Sequence, residues 1–318
     1  MKRKLSWRGI WQITKDTFTG FSEDKVTKLS GSLAYYMVFS MGPLLVVIIS
    51  LCGLLLSREA IEGKVYDVLV GFVGSDTAAQ LQEIIRNASV GDKSFIAAVI
   101  GIVTLLIGAT SVFAEIQDSI NMIWGLKPKP KKGWLKYLQN RFLSFSIIVS
   151  LGFLLLVSLA LSAIIEGIST GLQARFPGVA VVVFYMINLL LTIGISTLIF
   201  ATIFKVLPDA RIKWRDVFAG AIVTAVLFLI GKFAISLYIS QTQVGSTYGA
   251  AGSLVVLLVW VYYSSIILYL GAEFTKAYAL MYGSAIHPND YAVTMKQVEV
   301  EMGHQTIQEK ENKIQSKI

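Results

Sequence analysis

Four side chains of this 318-residue chain stand where apolar sequence gives way to polar sequence and could carry proton or cation chemistry. Glu115, Asp118 and Asn121 follow one another at three-residue spacing, which places them near one helical face. Glu273 comes directly after the apolar stretch Leu254 to Ala272. Carboxylates at such depths can bind a proton or an ion, or can fix helix ends by pairing with nearby cations. Arg141, Lys205, Arg211, Arg215 and Asp216 would be available for such a network. Lys232 lies inside another apolar stretch, where an ammonium is costly unless it reaches the surface, pairs, or faces water. Two placements fit it: snorkelling outward, or lining an internal polar cavity that receives an anionic group. Gly42-Pro43 interrupts a further apolar stretch. Proline removes a backbone donor and crowds the preceding turn, so a kink is expected there, either for packing or as a hinge. The candidates for a substrate or ion pathway are therefore Lys232, Glu115, Asp118, Asn121 and Glu273, with Gly42 and Pro43 as the candidate hinge.

Enzymatic chemistry finds little support. The two histidines, His287 and His304, both fall near the C-terminus, away from any acidic cluster of metal-ligand spacing. No phosphate-binding loop, dinucleotide fingerprint or nucleophile motif occurs. The single cysteine, Cys52, reads as a small apolar residue. No catalytic residue, metal or cofactor is expected.

The elements that must position these residues are long and apolar. Hydrophobic residues make up 55% of the chain and charged ones 15%, against about 25% charged in soluble domains. Six runs stand out: Leu33 to Leu56, Phe95 to Ala114, Phe142 to Ile165, Val179 to Phe204, Val217 to Ile239 and Leu254 to Ala272. Each is near or above the roughly 20 residues that cross a bilayer as a helix. The expected fold is an all-α integral membrane protein, a bundle of six transmembrane helices over residues 33–282. Lysine and arginine number 7, 6 and 4 in the segment before the first run and in the two alternate loops, against 4, 1 and 0 in the opposite loops. That bias predicts cytoplasmic termini, and it accounts for the net charge of +8 without invoking nucleic acid; attraction to anionic headgroups is a further role.

Residues 1–32 hold Trp7, Ile10, Trp11, Thr14, Phe18 and Phe21 at helical spacing, with Lys4, Arg8 and Lys15 on other faces. This predicts an amphipathic interfacial helix that either lies along the membrane surface or packs on the ends of the bundle. The outer loop at about 57–93 has the periodicity of short amphipathic helices that could cover the bundle. Residues 283–318 read as a polar, partly disordered cytoplasmic tail.

Several linked motifs carry a resemblance. Leu33-Ala34-Tyr35-Tyr36 leading to Gly42-Pro43-Leu44-Leu45, Ala114 to Asn121 before Trp124-Gly125, Leu207-Pro208-Asp209 followed by Trp214-Arg215-Asp216, and Tyr248-Gly249-Ala250 through Trp260 to Gly271-Ala272-Glu273 occur in the order seen in the YihY/virulence factor BrkB membrane family. Over approximately residues 20 to 282 the chain resembles that family, which implies a six-helix, multi-pass protein of the inner membrane. Family members have also been labelled ribonuclease BN, a label the residues above do not support. The functional expectation is a transporter or lipid-handling permease whose substrate the sequence does not name, an anionic lipid or solute being the candidate. The alternative is a scaffold that organises envelope partners. Membrane lipids are the expected partners; nucleic acid is not, and an oligomer is neither predicted nor excluded.

Overall fold

The computed structural model describes residues 6–52, 66, 70, 78–79, 82, 108, 111–129, 177–242, 252–289 and 292–295. The described elements are α1 (Trp7–Glu23), α2 (Val26–Cys52), α3 (111–123), β1 (Leu126–Pro128), α4 (Pro177–Val206), β2 (Ala210–Arg211), α5 (Trp214–Thr242), α6 (Gly252–Tyr282), β3 (His287–Pro288) and β4 (Ala292–Thr294). The chain is mostly helical. Among the described residues, Met186–Val206, Trp214–Ile235 and Leu254–Tyr282 are long and apolar enough to cross a bilayer. The run Phe142 to Ile165, most of Phe95 to Ala114, and most of the 57–93 loop lie outside the described residues. The helix α2 runs as a single element through Gly42 and Pro43, although Pro43 has no N–H to give to the preceding turn.

The helix α6 is the hub, packed against α5, α2 and α1. Its contact with α5 is unusually close, and the residue types explain why. A Cβ on Gly220 would fall 1.8 Å from Thr275 Oγ1, and one on Gly271 would fall 2.0 Å from Thr224 Oγ1. The two helices run antiparallel, and each offers a glycine notch to the other's threonine. Each hydroxyl is satisfied within its own helix: Thr224 Oγ1 donates to Gly220 O at 2.8 Å and Thr275 Oγ1 to Gly271 O at 2.7 Å. Burial of both threonines therefore leaves no orphaned polar atom. Small residues that admit close backbones serve this purpose in lipid, where apolar surface alone gives helices no reason to associate. Further along α5, Gly231 makes room for Tyr263 and Ile267. An aromatic run crosses the bundle from Phe200 of α4 to Phe228 of α5 at 5.7 Å and on to Trp260 of α6 at 6.5 Å.

Two short antiparallel sheets close one end, a departure from the expected all-α fold. The strand β1 pairs with β4, and β2 pairs with β3. Residues 283–289 and 292–295 thus form a strap that joins the loop after α3 to the loop between α4 and α5. The segment expected as a polar tail is, at its start, part of the fold, because β-pairing satisfies backbone groups that polar side chains alone do not. Residues 296–318 lie outside the described residues. Gly125 makes the turn from α3 into β1 with φ +66°, the left-handed conformation that glycine adopts freely after a helix. Its carbonyl accepts from Met295 N at 2.7 Å.

The Gly/Thr contact leads to a measurable asymmetry between glycines. Gly220→Ala or Gly271→Ala should cost about 1–3 kcal/mol through overpacking. Gly194→Ala on α4, where nothing lies within 4 Å of the new Cβ, should be neutral or stabilising by up to about 1 kcal/mol. Thermal unfolding in detergent measures both; equal effects at positions 220 and 194 would contradict the contact.

Candidate functional site

The polar groups at the strap end form two separate arrangements, one on α3 and the other on α6. Asn121, buried in α3, grips Asp209 from both sides. Asn121 Nδ2 donates to Asp209 Oδ2 at 2.9 Å, and Asp209 N donates to Asn121 Oδ1 at 2.8 Å. The carbonyl of Asp209 in turn accepts from Asn289 N at 3.0 Å. One acid thereby joins α3, the α4–α5 loop and the strap. Asp216, in the first turn of α5, finishes the closure: its Oδ2 accepts from Ser284 N at 2.9 Å and Ser284 Oγ at 2.7 Å. Lys205, at the end of α4, donates from Nζ to Ile212 O and lies 5.8 Å from the Trp214 ring centre.

The second arrangement surrounds Glu273, which is only 2% exposed. A Cβ on Gly20 would come within 2.5 Å of Glu273 Oε2, so the absence of a side chain on α1 is what lets that helix close over the carboxylate. Lys276 Nζ stands 3.5 Å from Glu273 Oε2 and 3.2 Å from Asp24 Oδ2, and the Asp24 carboxylate itself faces Glu273. Glu273 Oε1 has no hydrogen-bond partner. One turn earlier on α6, the buried Tyr269 hydroxyl faces Ser119, but neither oxygen reaches hydrogen-bonding geometry. Trp124 Nε1 donates to Ala272 O at 3.1 Å and ties α3 to this part of α6.

The helix α1 is placed by two contacts. Gly9 lies against the Tyr282 hydroxyl, which also accepts from Ser6 N at 3.2 Å, while Gly20 lies against Glu273. The two glycines are about 16 Å apart along α1 and their partners about 13 Å apart along α6. The helix therefore runs roughly antiparallel to the last turns of α6. Ile13, Thr17 and Gly20 form its buried face, whereas Trp7, Ile10, Trp11 and Phe18 are exposed. Lys25, in left-handed conformation at φ 52°, makes the joint to α2.

Of the residues singled out by sequence, Asn121 and Glu273 are buried, Glu115 is partly buried, and Asp118 reaches solvent. Asp118 nevertheless has its acidity weakened, first by partial desolvation and then by the carboxylates of Glu115 and Asp209. Lys232 is half-buried on α5 between Gly231, which faces α6, and the exposed Phe233. It lies about 18 Å along α5 from Gly220 and is not gathered with the acids. Arg141 lies outside the described residues. Gly20, Asp24, Tyr269 and Asp209 complete the two arrangements without having been candidates. The Leu207-Pro208-Asp209 motif was the only sequence signal for any of them.

Removing Asn121 should show its part in holding the strap. Asn121→Ala removes two hydrogen bonds from the buried Asp209, one to its carboxylate and one from its N–H, a loss of about 1–3 kcal/mol. Amide exchange over residues 292–295 should accelerate, while Asn188→Ala on the exposed face of α4 leaves it unchanged. Asp118 yields a pH test. Its raised pKa means that ionisation disfavours the folded state, a penalty absent at low pH and complete above the raised value. Asp118→Asn should raise the melting temperature at pH 7, with the gain vanishing towards pH 4; a gain that grew on acidification would contradict the assignment.

The Virulence factor BrkB family matches residues 17–291. A UPF0761 membrane protein of Ralstonia nicotianae is 30% identical over 258 residues, covering 79% of this chain and 55% of the relative. The chain thus spans about half the length of that relative. The alignment with a UPF0761 membrane protein of Alteromonas mediterranea, 28% identical, covers 86% of this chain and 91% of the relative. A third, from Aeromonas salmonicida, is 28% identical over 80% of this chain and 84% of its own length. No solved structure matches. With the family covering both polar arrangements and the helices that carry them, this chain belongs to the Virulence factor BrkB family of membrane proteins.

Proposed function

We propose that this chain is a six-span permease of the bacterial inner membrane, with both termini in the cytoplasm. It moves an anionic lipid or solute and performs no covalent chemistry. The described spans and the alternation of basic loops support the membrane reading. The observation that carries the permease reading is the Glu273 carboxylate. A buried acid with one oxygen unpartnered is an expensive arrangement, and here a second carboxylate, Asp24, faces it while one ammonium serves both. Two acids sharing one base leave room for a proton or a small cation. The helix α1 forms the roof, and it is attached through the left-handed joint at Lys25. Movement of α1 would open Glu273 to the aqueous side, and its return would seal it, as ion-coupled transport requires. Lys232, farther out on α5, supplies a positive group to an anionic substrate on its path.

A scaffold reading draws on a different observation. The Asn121–Asp209 grip and the β-paired strap build a fixed platform at one end of the bundle, as a docking surface for envelope partners requires.

Reconstitution in liposomes separates the two. With a fluorescent anionic lipid and a lumenal pH dye, the protein should move lipid faster under an imposed pH gradient. Glu273→Gln should abolish the gradient dependence and Lys232→Ala should slow the movement, each in protein that still unfolds cooperatively. Gradient-driven movement that survives Glu273→Gln would remove the coupling role, and transport unaffected by Lys232→Ala would remove that lysine from the path. No movement by the folded wild-type protein would favour the scaffold.

A further inference from the structure

The exposed side of α1 carries chemistry that neither the carboxylate beneath it nor the packing against α6 uses. With about 100° per residue, the buried Ile13, Thr17 and Gly20 occupy one side of the helix. Trp7, Trp11 and Phe18 fall together on the far side, 85%, 71% and 59% exposed. Arg8 and Lys15, seven residues apart, form a second exposed stripe immediately beside the aromatic one. The third exposed stripe holds Gln12, Asp16 and Glu23. An open groove of about 680 Å³ runs over this side, bordered by Trp11, Lys15, Phe18, Ser22 and, from the third stripe, Glu23.

Burying such a stripe returns roughly 25 cal/mol for each Å² of apolar surface, so something of matching chemistry should cover it. We infer that this face of α1 seats into a leaflet of anionic phospholipid, with Phe18 towards the acyl chains, Trp11 and then Trp7 successively nearer the headgroups, and Arg8 and Lys15 on the phosphates. The position of α1 argues for lipid over a protein partner. Its buried face is fixed to the last turns of α6, at the end of the Leu254–Tyr282 span, so the stripe is held at the depth where a span leaves the hydrocarbon. Trp214 is exposed at the same end, where Asp216 of the first turn of α5 meets Ser284 beyond α6, and Lys205 lies against its ring. Aromatic side chains interleaved with bases around the end of a span match the amphipathic boundary and the negative charge of a cytoplasmic leaflet. A helix laid flat would present one apolar face downward. Here α1 stands beside α6 and meets the leaflet with its side.

The test uses the full chain with Cys52→Ser, carrying a spin label at Trp11→Cys or at Asp16→Cys, in nanodiscs of phosphatidylcholine with or without phosphatidylglycerol. In discs with phosphatidylglycerol the label at position 11 should collide readily with oxygen and poorly with a water-soluble nickel chelate, and the label at position 16 should show the reverse. Omitting phosphatidylglycerol, or introducing Arg8→Gln with Lys15→Gln, should shift position 11 towards water, raising its nickel collision rate several-fold. Equal nickel access at positions 11 and 16 would overturn the inference. So would a label at 11 shielded from both reagents, as a protein partner or second copy would make it, or one indifferent to lipid charge.

Discussion

The near-contact of α5 and α6 through Gly220, Thr224, Gly271 and Thr275 is the constraint on which the described structure depends. Inside a bilayer helices gain little from apolar contact as such, because lipid is equally apolar. What holds them is close packing with every polar atom satisfied. The reciprocal glycine–threonine notches supply both and fix the antiparallel register of the pair. From that register the rest of the strap end follows. Asp216 of α5 arrives level with Ser284 beyond α6, Trp124 meets the Ala272 carbonyl, and α1 finds Glu273 and Tyr282 along one side of α6.

Two buried acids show how differently the same group can be treated within one bundle. Asp209 is held by Asn121 through both its side chain and its backbone, and its carbonyl anchors the strap. It is a satisfied structural group whose removal would loosen three segments together. Glu273 shares Lys276 with Asp24, keeps an oxygen without a partner, and is covered by a helix only where that helix has a glycine. A group of the first kind fixes a structure. A group of the second kind stores an unmet interaction, which suits a site that gains or loses a proton or an ion.

The long helices were legible because apolar length is a one-dimensional signal: the runs Val179 to Phe204, Val217 to Ile239 and Leu254 to Ala272 all fall within described helices. The end of α6 was not, because the helix continues ten residues past Ala272 through Glu273, Thr275 and Lys276. Thr275 donates to Gly271 O and Lys276 reaches both Asp24 and Glu273, so polarity does not end the helix. Helical periodicity located α1 but did not reveal its docking face. Thr17 and Gly20 look unremarkable by hydropathy, and their value lies in being small enough to admit α6. The Asn121–Asp209 pair spans 88 residues, and the strap consists of strands two or three residues long. Neither leaves a local pattern, since both are defined by a partner distant in sequence.

The helix α1 stands along the last turns of α6 and roofs Glu273. Cross-linking in native membranes with a short bifunctional thiol reagent, in a Cys52→Ser background, tests that placement most directly. Gly9→Cys paired with Tyr282→Cys should link rapidly, because Gly9 lies against the Tyr282 side chain. Gly9→Cys paired with Thr275→Cys should not, because Thr275 faces Gly220 on α5. Efficient linking of the first pair with silence from the second is the predicted result. Failure of the 9–282 pair to link in folded protein, or equal linking of both pairs, would contradict the account.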